Sequence, residues 1–166
     1  MQTQKEDVIT PQQAGTLHGL FVERARRSPE NAAYRYFQQD SWHDLTWREM
    51  LGEVARWQSA LLRENMAAGD RVAIMLRNCP QWVMFEQAAM SLGLVAVPLY
   101  VVDRPDNIAY ILNDAQVKVL LFETDEQWQA LRTVIGQLGC VQRFVSMDKI
   151  ARNGDPRLQC ADEWLP

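Results

Sequence analysis

Residues 69–123 read GDRVAIMLRNCPQWVMFEQAAMSLGLVAVPLYVVDRPDNIAYILNDAQVKVLLFE, in which short β-branched runs alternate with amphipathic helical segments. This alternation constrains the fold more than any other feature, because a run that is apolar on both faces has to be covered on both. Strands are expected over 71–77, 94–99 and 118–122, with a fourth over 142–146. Helices are expected over 80–92, 106–115 and 126–138. Each helix carries an apolar stripe at helical spacing: Trp82, Phe85, Ala89 and Leu92, then Ile108, Ile111, Leu112 and Ala115, then Trp128, Leu131, Ile135 and Leu138. Val83, Met84 and Ala88 fill the other face of the first, so burial on two sides is expected there. Gly93 and Gly139 follow helix ends, where a left-handed backbone is expected. Strands joined through single helices pair in parallel by right-handed crossovers. The expected fold class is therefore α/β, a three-layer parallel sheet with crossover helices.

Ahead of this block, Thr16 is placed to cap a helix over 17–27, with Leu17, Leu20 and Phe21 as its apolar face and Ser28-Pro29 as its stop. Arg24, Arg26 and Arg27 read as an anion site or, the reading we prefer, as cations solvated near a helix C-terminus whose dipole favours them. Aromatic-rich runs over 32–37 and 41–45, joined by Gln38-Gln39-Asp40, read as a hairpin that lacks an Asn-Gly turn. Thr46-x-x-Glu49 is a capping box. It opens a long helix striped by Met50, Val54, Trp57 and Leu61. Gly52 inside that helix costs about 1 kcal/mol against alanine, so a close helix contact is expected there. Residues 1–15 are expected to be a flexible leader, 16–147 an α/β subdomain, and 148–166 an irregular tail, either a loop or a segment waiting for structure that the chain does not contain.

At 166 residues the chain is about one domain long, and its net charge of −4 comes with scattered Lys and Arg. That distribution leaves no electrostatic footprint for nucleic acid. Cys79, Cys140 and Cys160 form no Cys-x-x-Cys pair, which points to free thiols in a reducing compartment. The polar N-terminus lacks the apolar core of a signal peptide. The longest apolar run, 92–102, contains Pro98 and falls short of the roughly 20 residues that span a bilayer. The expected localisation is cytoplasmic.

Ligands of open parallel sheets sit beyond the carboxyl ends of the strands. Here those ends are Arg77-Asn78-Cys79, Pro98-Leu99-Tyr100, Glu123-Thr124-Asp125 and Ser146-Met147-Asp148. None holds the glycines that let backbone N–H groups converge on a phosphate, and neither Gly-x-Gly-x-x-Gly nor Gly-Lys-Ser/Thr occurs. His43 beside Asp44 has the form of a general base, but no Gly-x-Ser-x-Gly elbow accompanies it and a solvent-facing imidazole is preferred. His18 has no matching ligand. Cys79 at a helix N-terminus reads as an activated thiol or, preferably, as inert filling of the first turn. Tyr100 either lines a pocket or joins the core, and the sequence leaves both open. No catalytic residue and no metal ligand is expected in this chain.

Several phrases together carry a family likeness. Ser28-Pro29-Glu30-Asn31-Ala32-Ala33 and Leu45-Thr46-Trp47-Arg48-Glu49 come first. Gly69-Asp70-Arg71-Val72-Ala73-Ile74 and Asn78-x-Pro80-x-Trp82 follow, then Gly93 through Tyr100, Ile108 through Ala115, and Lys118-Val119-Leu120. In this order they resemble the N-terminal part of adenylate-forming (AMP-binding) acyl-CoA synthetases. The Pro-Leu-Tyr and Tyr-Ile-Leu-Asn-Asp wording is most similar to long-chain fatty acyl-CoA ligases. The likeness implies a parent enzyme that uses ATP, Mg and CoA to convert a fatty acid to its acyl-CoA through an acyl adenylate. The family's Pro-Lys-Gly loop, later acidic and aromatic motifs and lid lysine have no counterpart here, so the resemblance implies an N-terminal fragment that is inactive alone. It further implies a scaffold role, with Pro98, Leu99 and Tyr100 near one wall of the acyl or CoA channel. Fatty acid, ATP and CoA are the partners implied for the parent, and exposed apolar surface suggests a homo-oligomer. The alternatives are the same subdomain of a synthetase for an aryl or amino acid, or a stand-alone module without catalysis.

Overall fold

The computed structural model describes residues 7–150 and 154–166. The expectations for residues 1–6 of the leader and 151–153 of the tail lie outside the described residues. The chain divides into two compact units, Met1–Glu53 and Val54–Pro166.

The first unit begins with α1 (Pro11–Ala14), closed by a reciprocal box between Thr10 and Gln13, and α2 (Leu17–Arg27), capped by the Thr16 hydroxyl. From residue 7 on, the leader is thus tied down rather than loose. Arg24 and Arg27 each donate to the Asp7 carboxylate, at 2.7 and 2.8 Å. Glu23 accepts from Arg26 and Arg27. The arginine cluster is therefore paired with this chain's own carboxylates, Arg24 and Arg27 largely out of solvent and Arg26 still exposed to it. The expected apolar face of α2 is also corrected: Phe21 and Ala25 are buried, while Leu17 and Leu20 are exposed. Phe21 meets the Trp47 ring edge-on at 5.6 Å.

β1 (Ala32–Gln38) and β2 (Ser41–Thr46) pair antiparallel through a two-residue turn at Gln39 and Asp40. Both turn residues have positive φ, 50° and 58°. That left-handed pair matches the right-handed twist of a hairpin, and here it forms without glycine. α3 (Trp47–Leu62) follows at once, and its capping box is present: Glu49 accepts from the Thr46 N–H at 2.7 Å and donates its own N–H to the Thr46 hydroxyl at 3.2 Å. Gly52 makes no close contact, since an added methyl group would meet no atom within 4 Å.

The second unit is a five-stranded parallel sheet in the order β4-β3-β5-β6-β7. Its strands are β3 (Arg71–Met75), β4 (Val95–Pro98), β5 (Val117–Phe122), β6 (Arg143–Ser146) and β7 (Leu158–Cys160). The crossover helices are α4 (Pro80–Ser91), α5 (Pro105–Asp114) and α6 (Asp125–Arg132). α4 carries the chain from β3 to one edge, and α5 carries it back across β3, so with right-handed crossovers the two lie on opposite faces. Ala73, Met75, Leu120, Phe122 and Phe144 bury one face against Ile108, Leu112, Trp128 and Leu131 of α5 and α6. The alternate residues Val72, Ile74, Leu121 and Val145 point the other way and are equally buried. Trp57, Phe85 and Trp164 pack ring against ring, joining the second half of α3, α4 and α7 (Ala161–Trp164).

The expected irregular tail is corrected over 158–164, which forms β7 and α7. Trp164 is 2 % exposed, and its indole N–H donates to Glu64 at 2.7 Å. Glu64 also accepts from Arg143 at 2.9 Å. The helix expected over 126–138 ends at Arg132, and a 3-10 turn covers Ile135–Gln137. The β-branched pair Thr133-Val134 followed by Gly136 explains the break, since all three are poor helix formers. Its apolar face survives the break, with Leu138 buried in the same cluster. Gly93 takes the expected positive φ of 70°, with its carbonyl accepting from Gly69 N–H, whereas Gly139 is not among the positive-φ residues.

Candidate functional site at the carboxyl edge of the sheet

Numbered from its own first strand, the sheet runs 2-1-3-4-5, and its direction of winding reverses between β3 and β5. In sheets of this kind the crevice at that reversal, beyond the carboxyl ends of the strands, is where ligands bind. The loops meeting there are Leu76 to Cys79 after β3 and Glu123 to Thr124 after β5, with Leu99 to Arg104 after β4 alongside.

A side chain of the protein itself occupies this reversal. Gln127, in the first turn of α6, accepts through Oε1 from the Glu123 and Thr124 N–H groups at 2.7 and 3.1 Å. Through Nε2 it donates to the carbonyls of Met75 and Val101 at 3.3 and 3.4 Å. One amide thus links the ends of β3 and β5 to the loop after β4. Beside it, burial pushes the Cys79 thiol up, and the nearby Glu123 charge adds to the shift against opposing backbone N–H groups. That direction runs against an activated thiol at Cys79. Arg77, Asn78 and Arg104 are exposed around the rim.

Of the residues expected near a channel wall, Pro98 ends the edge strand β4 and is exposed, Leu99 is buried in the core, and Tyr100 is 82 % exposed. Tyr100 accordingly does not join the core. Pro98 has a clear structural cause. The N–H groups of Val95 and Leu99 point at β3, bonding Asp70 and Ile74 carbonyls, so Ala96 and residue 98 face outward. Proline there removes a donor from the open edge and discourages strand addition. A cavity of about 410 Å³ lies elsewhere, bounded by Trp128, Arg132, Ile135 and Gly154 to Arg157, none of them at a carboxyl strand end. Its Arg157 is committed to Asp155 and to the Leu138 and Val141 carbonyls.

The histidines are placed as structural groups. His43 Nε2 lies 2.8 Å from the Ser41 hydroxyl and 3.2 Å from the Gln38 carbonyl, so it braces the hairpin turn. Asp44 projects from the opposite face of the strand and is held by Arg35 at 2.6 and 2.8 Å, so the two neighbours form no pair. His18 stacks on Phe21. Among the described residues no group of three His, Cys, Asp or Glu could hold a metal ion, and all three cysteines are free. Sequence reasoning missed Gln127, although Thr124-x-x-Gln127 is a legible capping box.

Comparison with known proteins fits this geometry. The family model described as AMP-binding enzyme matches residues 21–163. The long-chain-fatty-acid–CoA ligase FadD15 of Mycobacterium bovis is 24% identical over 139 residues, covering 84% of this chain and 23% of its own length. The N-terminal domain of FACL13 from Mycobacterium tuberculosis superposes with a TM-score of 0.71 at 26% identity, over 78% of this chain and 32% of that one. Coronafacic acid ligase from Pectobacterium brasiliense superposes with a TM-score of 0.79 at 16% identity, over 89% of this chain and 29% of that one, which speaks to the fold alone. The matched region spans about a quarter or less of the length of the curated relatives. With its parallel sheet, its order of elements and the family match over most of its length, the chain belongs to the AMP-binding enzyme family.

Proposed function

We propose that this chain is the N-terminal part of a long-chain fatty acid–CoA ligase. In the parent reaction a fatty carboxylate oxygen attacks the α-phosphorus of ATP and expels pyrophosphate. The CoA sulfur then attacks the acyl carbon, AMP departs, and the thiol proton is released to solvent. The observation that carries this reading is that FadD15, similar over 84% of the chain, is a long-chain-fatty-acid–CoA ligase. The described residues provide neither a glycine-rich turn at a strand end nor a donor cluster suited to Mg²⁺. No step through ATP or the metal is therefore assigned to them. Their part in the proposal is to build the sheet, and to place the loop after β4, with Pro98, Leu99 and Tyr100 leading into it, beside the acyl or CoA channel.

The test is thioester formation by the polypeptide extended beyond Pro166, with CoA, ATP and acids from short to long chain plus aryl acids. The proposal expects kcat/KM to rise toward long-chain acids. Activity confined to aryl acids would replace it with a synthetase for that class.

A further inference from the structure

We infer that Gln127 is a positioning residue for the loop over 100–104, and that this role is why glutamine rather than glutamate closes the capping box of α6. The box itself needs only an acceptor at this position, so either residue serves it. The Oε1 end of Gln127 meets that need by accepting from Glu123 and Thr124. The Nε2 end is surplus to the box, and it donates to Met75 and Val101, carbonyls on β3 and in the loop after β4. A glutamate would keep the first pair of bonds and turn the second into two repulsions, since an ionised carboxylate has no hydrogen to donate.

Among the described residues the loop has few other polar ties to the sheet. Leu99 is still held by β3, with its N–H on the Ile74 carbonyl at 2.9 Å. Beyond it the loop's own backbone bond is Asp103 N–H to the Tyr100 carbonyl at 3.3 Å, and the Asp103 side chain accepts from Arg104 N–H at 2.8 Å. Asn107 of α5 also donates to the Asp103 carboxylate at 3.0 Å, and Val101 packs against the core cluster. The bond from Gln127 to Val101 is what ties the loop backbone to the ends of β3 and β5. The side chains so positioned are Tyr100 and Val102, 82 % and 87 % exposed, and the exposed Arg104. An aromatic, an aliphatic and a cation presented together suit a ligand with an apolar chain and an anionic group. This last step rests on the proposed role of the loop beside the ligase channel.

Two variants separate the halves of the tie. In the 166-residue chain, amide hydrogen exchange of Gln127→Glu should leave residues 123–132 protected and speed exchange at Asp103 about fivefold or more, the worth of one lost hydrogen bond. Gln127→Met should loosen both regions. Unchanged Asp103 protection in the glutamate variant would overturn the inference. In the extended polypeptide, Gln127→Glu should raise KM for the acid or CoA several-fold while kcat holds. Faster exchange with KM unmoved would uphold Gln127 as the loop's anchor and overturn the placing of that loop at the channel.

Discussion

Gly52 sits within α3 with open space where a side chain would be. Its cost to the helix is uncompensated by any close packing, so Gly52→Ala should stabilise the chain by about 0.5–1 kcal/mol. Thermal unfolding reads this directly, and a lower melting temperature would mean that the position has a contact requirement after all. Asp155 offers the opposite case, a carboxylate whose partner matters. The Arg157 guanidinium holds its pKa below the ordinary 3.8, outweighing its partial burial. A carboxylate depressed in the folded state adds stability that is full above its unfolded pKa and is lost as pH falls through the folded one. Asp155→Asn should therefore unfold more easily than the unsubstituted chain at neutral pH, and the gap should close in acid. A gap that persists unchanged into strong acid would contradict the pairing. Residue-level features of this kind were unevenly legible in the sequence. The Thr46–Glu49 box is local and could be read directly, whereas Arg157 reaching the Leu138 and Val141 carbonyls is a tertiary event with no local signature.

At the scale of elements, the sequence announced those whose apolar pattern runs for several turns or strand residues. β3, α4, α5 and β5 lie within a residue or two of the expected bounds, β3 and β5 because their burial is nearly continuous and α4 and α5 because their buried residues recur at helical spacing. β7 went unread because three residues are too few to establish a period, and its partner β6 lies across an intervening loop. The same segment anchors the end of the chain through Trp164, packed on Trp57 and Phe85 at ring separations of 5.9 and 6.4 Å. Trp164→Ala should cost about 3–5 kcal/mol, the usual range for emptying a buried aromatic site. Denaturant unfolding checks it, and a loss well under 1 kcal/mol would show that the tail is dispensable to the sheet.

For the whole molecule, alternation of strands and helices dictated a parallel sheet but not its order, because a crossover can step to either side of the strand it leaves. The candidate site inherited that ambiguity: the strand ends could be named from sequence, but which two flank the reversal could not. Exposed Val95, Tyr100, Val102 and Tyr110 on and after the edge strand lead us to expect concentration-dependent self-association. Sedimentation should show it, and a strict monomer at high concentration would count against an apolar surface that seeks a partner. The central claim is that this chain is the N-terminal scaffold of a ligase whose chemistry lies in the rest of the parent polypeptide. ATP–pyrophosphate exchange with long-chain fatty acids tests it most directly, on the 166-residue chain and on the polypeptide extended beyond Pro166. Losing one donor to a developing charge costs about 100-fold or more, and a site without the whole set should be silent. The account predicts fatty-acid-dependent exchange by the extended polypeptide and none by the chain alone. Exchange by the chain alone would contradict it.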